Sequence, residues 1–178
     1  MENLKISSKI SRQTITICLI ITLSLFSALS YSQKVVDFSG KWVLNKQKSG
    51  SLFADVSSIY IITQTNNTIN IDITQSKKDT KPVTSSEKYV IGSGMEGKSG
   101  NKNITVEVAW SSDTQSFSIT EVTSYAENGT TRESKRIKTY SLTDAGKTMI
   151  IKTDNIPSSG SKTTDSDKNS VMVFNKSL

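Results

Sequence analysis

The sequence contains no histidine, and that absence removes whole classes of chemistry. There can be no Ser-His-Asp or Cys-His nucleophile pair, no His-ligated zinc or haem, and no imidazole switch near neutral pH. Cysteine is nearly absent too: Cys18 is the single one in 178 residues. Aromatics make up only 7% of the chain, thin for the two interfacial girdles of an outer-membrane barrel. What is left has the length of one domain, enough to bury a core.

The first 32 residues read as an address. Lys5, Lys9 and Arg12 stand against one acid, Glu2, and Ile15 to Leu29 is apolar and uncharged. Small residues come next, in Ala28-Leu29-Ser30 and Ser30-Tyr31-Ser32. A basic start, an apolar run and a small-residue site make a secretory signal peptide, with cleavage expected before Gln33. The run falls short of the ~20 residues that span a bilayer comfortably, so no membrane span is expected after cleavage. The expected location is secreted or periplasmic. Cys18 lies inside the apolar run and leaves with the signal. The mature chain, 33–178, then has no disulfide to staple it and must be held by its core.

Removing the signal takes 22 basic and 16 acidic residues to 19 and 15, so the net charge falls from +6 to +4. The densest basic group, Arg132, Lys135, Arg136 and Lys138, shares its segment with Glu133. It reads as a solvated strand face, and no nucleic-acid partner is expected.

Strand signals fill the mature chain. Thr68 to Thr74 (TINIDIT) and Asn103 to Val108 (NITVEV) alternate apolar and polar residues without a break. A period of two means one buried and one wet face. Ser57 to Thr65 (SSIYIITQT) is rich in β-branched and aromatic residues and meets the Thr68 run across Asn66-Asn67, a two-residue hairpin whose Asn residues tolerate positive φ. The pattern predicts nine strands near 39–45, 57–65, 68–75, 83–91, 102–111, 116–125, 130–142, 147–154 and 170–176. A short helical turn is expected within 46–56. Successive strands joined by tight turns predict an all-β, up-and-down antiparallel β-barrel of about 8–9 strands, with a sandwich as the alternative. An outer-membrane barrel is disfavoured, because Arg132 and Arg136 occupy one strand face and Glu133 and Lys135 the other.

Asp37-Phe38-Ser39-Gly40-Lys41-Trp42-Val43-Leu44-Asn45 opens the mature chain. This segment resembles the start of lipocalin-like (calycin) barrels, whose first strand carries Gly-x-Trp, and more closely that of small secreted bacterial lipocalin-like domains. The far end is similar as well: Tyr140 to Ile151 reads strand, Asp-Ala-Gly-Lys turn, strand, and Val171 to Lys176 is a last strand ending in Lys. The resemblance implies a structural barrel floor in which Gly40 permits close packing, Trp42 is the plug, and Lys176 lies over the indole. Lipocalins usually have Arg at that last place, and Lys cannot stack a plane as Arg does.

Two motifs point elsewhere. Gly92-Ser93-Gly94-Met95-Glu96-Gly97-Lys98-Ser99 matches the phosphate-loop pattern letter for letter. That mechanism needs a helix after the loop to present N–H groups. Here Gly100-Asn101 and another strand come next, so a Gly-rich connection between strands is expected. Asp165-Ser166-Asp167-Lys168-Asn169 begins like a calcium loop but lacks its sixth-position Gly and twelfth-position Glu, so no metal and no cofactor are expected.

The functional expectation is an exported, non-enzymatic lipocalin-like binding protein for a small apolar or amphipathic ligand. Candidate lining residues are Ile71, Ile73, Val106, Val108, Trp110, Phe117 and Ile119, which are equally the core. Alternation also places Glu121 inward, where it marks a polar pocket unless a bulge turns it out. The alternative is an envelope structural or interaction module, an accessory or inhibitor, with a packed interior and a protein partner. Carboxylate pairs such as Glu107 with Glu121 have no spacing that selects them for catalysis.

Overall fold

Ten strands form in chain order, and each pairs antiparallel with its neighbours in the sheet. The computed structural model describes residues 35–127, 129–157 and 169–177. The signal segment with Cys18, the cut before Gln33, Asn128, and Asp165–Lys168 of the calcium-like stretch lie outside the described residues. The strands are β1 (Gly40–Leu44), β2 (Val56–Gln64), β3 (Thr68–Lys77), β4 (Val83–Val90), β5 (Gly94–Ser99), β6 (Lys102–Trp110), β7 (Ser116–Glu127), β8 (Thr130–Thr143), β9 (Thr148–Ile156) and β10 (Ser170–Ser177). Their order, β4-β3-β2-β1-β10-β9-β8-β7-β6-β5, is one sheet curled on itself. Pairing β1 with β10 joins the first strand to the last, which makes the sheet a near-closed up-and-down barrel rather than a sandwich.

The nine predicted strands are present. The tenth, β5, corrects the expectation for the Gly-rich stretch. It is not a loop but an edge strand, paired to β6 from Gly94↔Glu107 to Ser99↔Lys102. Its turn is Gly100-Asn101, with Gly100 at φ +60. The Asn66-Asn67 turn also forms, with Thr65 N–H donating to the Thr68 carbonyl at 2.9 Å. Neither Asn adopts positive φ, so this turn closes without the left-handed backbone that Asn tolerates. The helical turn expected within 46–56 is a single 3-10 turn, Ser51–Phe53.

One end of the barrel is closed by the chain itself. Residues 35–39 are tied across it: Gln64 Oε1 accepts from Phe38 N–H at 3.0 Å, and Gln64 Nε2 donates to the Val36 carbonyl at 2.9 Å. Above them sits Trp42, fully buried, its Nε1 donating to the Phe38 carbonyl at 2.9 Å. Lys176, opposite Trp42 in register, holds its Nζ 5.2 Å from the indole centroid. Gly40 makes room for that stem. Its φ is +136, and a Cβ there would stand 2.8 Å from Lys176 Cε. The Gly-x-Trp spacing thus answers to a side chain 136 positions away: a glycine two residues before the plug lets the lysine lie down.

The seam between β1 and β10 is extended by a serine. Past the end of β1, Ser49 Oγ accepts from Val173 N–H at 2.9 Å and lies 3.2 Å from the Val173 carbonyl. A side chain here replaces the strand partner that β1 no longer supplies.

Trp42→Ala is expected to cost about 3–5 kcal/mol, the range for removing a buried aromatic, and Lys176→Ala only about 0.5–1 kcal/mol, since its ammonium is exposed. Thermal and urea unfolding of the two variants would read this. Equal and negligible losses would show that the floor does not depend on Trp42.

Candidate functional site

The registers define which side chains point inward. Tyr140 pairs with Phe117 and Ile151, Lys138 with Ile119 and Thr153, and Arg136 with Glu121 and Asn155. On the other half, Ile73 pairs with Tyr60 and Ser85, and Ile71 with Ile62 and Glu87. Up the barrel from the floor, this inward series changes character. First come aromatic and aliphatic side chains, then tyrosine hydroxyls, then charge.

The lower tier is solid. Phe38, Trp42, Phe117, Tyr140 and Phe174 are fully buried with Ile62, Ile69, Ile71, Val108, Met149 and Ile151. Phe117 stacks on Tyr140 with centroids 4.4 Å apart, meets Phe38 edge-on at 4.9 Å, and meets Trp110 edge-on at 5.6 Å. Tyr60 packs on Phe174 at 4.7 Å. Edge and offset contacts of this kind add about 0.5–1.5 kcal/mol each to area burial.

The second tier is a cluster of hydroxyls. Tyr60, Tyr89 and Tyr140 are all buried, and each has a raised pKa, first because burial disfavours the phenolate. The Glu87 carboxylate then adds its charge to all three. Tyr60 is pushed up to about 12. Tyr89 also donates its O–H to Glu87 Oε2 at 2.8 Å, which holds its proton further. Tyr140 Oη is buried without a hydrogen-bond partner among the described residues. A buried hydroxyl left so costs about 1–3 kcal/mol.

Further along the strands Ser58, Ile119 and Thr153 stay buried, but most inward side chains are more accessible. Glu87, Met95, Val106, Glu121, Lys138 and Met172 are half-buried, and Ser85 and Arg136 are exposed. Two clefts open at this end. One, of about 350 Å³, is polar and lined by Lys102, Glu121, Thr123, Ser134, Arg136 and Asn155 among others. The other, of about 400 Å³, is an apolar groove between the 3-10 turn and β4, lined by Leu52, Phe53, Val56, Val83 and Met172. Leu52 and Val83 stand 66% and 70% exposed there, unusual for large apolar side chains beside a core.

The candidate lining residues divide between these tiers. Ile71, Ile73, Val108, Phe117 and Ile119 belong to the buried core, and Val106 and Trp110 pack against it half-buried. Glu121 does face inward. The β7 ladders run unbroken through Val106↔Glu121 and Glu121↔Arg136, so no bulge turns it out. Its carboxylate lies 4.0 Å from an Arg136 guanidinium nitrogen, and both side chains are more than a third exposed, a geometry worth little on its own. Arg136 Nε is also committed to Asn155 Oδ1 at 3.1 Å. Glu107 points outward, on the opposite face from Glu121, so that carboxylate pair is separated by the sheet. Among the described residues no group of three or more acids, Cys or His is placed to hold a metal ion.

The residues that sequence reasoning passed over are Tyr60, Tyr89, Tyr140 and Glu87. A signal existed. Glu87 and Tyr89 stand two apart in β4, so alternation puts an acid and a tyrosine on one face, by the same logic that placed Glu121.

No protein-family model and no curated protein matches the chain. Solved structures with a similar outline exist. The wild-type fluorescent protein UnaG is 10% identical, with 79% of this chain and 97% of that one covered at a TM-score of 0.47. Secretory abundant heat soluble protein 4 from Ramazzottius varieornatus is also 10% identical, with 83% and 100% covered at 0.43. Likenesses this distant carry no ligand or activity across, and the site stands on its own residues.

The raised tyrosines set a pH limit. Below pH 10 both folded and unfolded chains keep these protons. Between there and about 12 the unfolded chain releases the Tyr60 proton while the fold retains it, so stability falls through that window. Urea midpoints should hold level up to pH 10 and then drop, while absorbance at 295 nm shows the buried phenols un-ionised until unfolding. Tyr140→Phe, which removes the unpartnered hydroxyl, should leave the midpoint unchanged or raise it.

Proposed function

We propose that the protein is an exported, non-enzymatic binding barrel for a small amphipathic molecule, held in the upper half of the interior. The observation that carries this is the break in the inward series. Towards the floor the rings and aliphatic side chains are fully buried; further up Met95, Val106, Met172 and Val56 are only partly buried against that core, on the same half of the barrel as half-buried Glu87 and Glu121 and exposed Arg136. Ligand pockets have this composition, mostly apolar with a few convergent polar groups. The apolar groove at Leu52, Phe53 and Val83 gives the molecule its entrance. Export rests on residues 1–32 alone, with the periplasm or the outside of the cell as its destination. A non-enzymatic role fits a chain without His.

A second reading, an envelope interaction module, is favoured by one feature. Ile61 and Val43 stand 48% and 38% exposed on the outward face of adjacent strands, where Lys41↔Ile61 and Val43↔Ile59 are in register. That patch brings no polar groups together as the inward series does, so the binding reading is preferred.

The uncharged dye N-phenyl-1-naphthylamine should brighten on mixing with the mature chain, 33–178. Met172→Asp, on the inward face, should abolish the signal. Val171→Asp, one residue along and facing out, should leave it intact. A barrel that takes up no dye, or loses it equally in both variants, would favour the interaction module.

A further inference from the structure

We propose that Tyr60, Tyr89, Tyr140 and Glu87 form a head-group pocket for a protonated amine, deep in the barrel, with the apolar body of the same molecule rising past Met95, Val106 and Met172. The inference deepens the binding reading and rests on it.

Three observations converge. Among the described residues Tyr140 Oη is fully buried and unpartnered. Glu87 reaches the same place: Tyr89 O–H satisfies its Oε2 at 2.8 Å, which leaves its second oxygen to a ligand. Its charge bears on all three tyrosines, and among the described residues no ion pair with a basic side chain offsets it. An anionic head would take O–H donors from Tyr60 and Tyr140 but would sit against Glu87. An ammonium reverses that balance. Its three N–H donors match the second Glu87 oxygen and the phenol oxygens of Tyr60 and Tyr140. The phenols stay neutral because burial and Glu87 hold their protons, so they remain acceptors without adding charge. Of the inward cations, Lys138 is half-buried two residues along β8 from Tyr140, and among the described residues it makes no ion pair with Glu87. Arg136 is engaged by Asn155 and lies near Glu121, and Lys102 holds its Nζ 5.6 Å from the Tyr125 ring.

The test uses three probes with one tail: dodecylamine, dodecanol and dodecanoate, each displacing N-phenyl-1-naphthylamine from the mature chain at pH 7.5. Dodecylamine should displace the dye at concentrations about tenfold lower than dodecanoate, as a charge-assisted hydrogen bond requires. Glu87→Gln should bring the two within about threefold of each other, and Tyr140→Phe should weaken the amine without changing the carboxylate. Circular dichroism and a urea midpoint on each variant establish that it is folded. Dodecanoate binding as well as dodecylamine would overturn the amine assignment and leave the binding barrel standing. An amine preference that survives Glu87→Gln would overturn the assignment to this cluster. A barrel that takes up neither dye nor any of the three probes would overturn the binding reading itself and this inference with it.

Discussion

A closed sheet has one interior, and its width is set by strand number. Eight strands enclose a space that ordinary side chains just fill; ten enclose more. The interior of this protein is shaped by that mismatch. To pack the wider space the chain commits nearly all its large rings to one end: Phe38, Trp42, Tyr60, Trp110, Phe117, Tyr140 and Phe174 are in mutual contact or close above one another. With aromatics at 7% of the sequence, there are not enough to do the same at the other end. The scarcity that argued against a membrane barrel also sets how far up the packed core extends.

Where the rings end, tyrosine marks the border, because it can give its body to the core and its oxygen to what lies beyond. Beyond it the inward face turns to Ser, Thr and charge, and apart from Ser58, Ile119 and Thr153 the side chains become more accessible. The outward face carries Asp72, Lys88, Glu107, Glu133, Lys135 and Lys152, all exposed. The modest hydrophobic content of the chain is therefore concentrated on half of one face. That is enough for a fold with no disulfide, provided the floor is well made. The Gly40, Trp42 and Lys176 arrangement, with Phe38 and Gln64 beneath it, is where that is achieved.

Strands were legible because a period of two is a local signal that each segment carries by itself. TINIDIT and NITVEV could hardly be anything else. β5 was not legible, because an edge strand with one inward Met and two glycines has almost nothing to bury; its place in the sheet comes from its partner, β6. Alternation also settled faces: Glu121 inward, Glu107 outward. It could not settle depth. Ile119 and Glu121 share a face two residues apart, yet one lies in the core and the other in the opening. Depth depends on strand tilt and on how many rings stand below, which are properties of the closed barrel. The hydroxyl cluster was hidden for the same reason. Tyr60, Tyr89 and Tyr140 come from three separate strands and meet only because closure brings their levels together.

The sheet ends at β4 and β5, and no ladder joins those two strands. Near the floor Ile91 N–H to the Asn67 carbonyl extends the β3–β4 ladder and Gly92 N–H to the Val108 carbonyl extends the β5–β6 ladder, so residues 91–93 carry the chain from one edge strand to the other. The barrel wall is therefore left without a ladder along one side, between β4 and β5. That gap leaves two bare strand edges that would template another chain. The sequence blunts them with Lys81-Pro82 at the head of β4, Lys88 along it, and the short, charged, glycine-broken β5. The glycines that imitated a phosphate loop are, in the folded protein, insulation on an open seam.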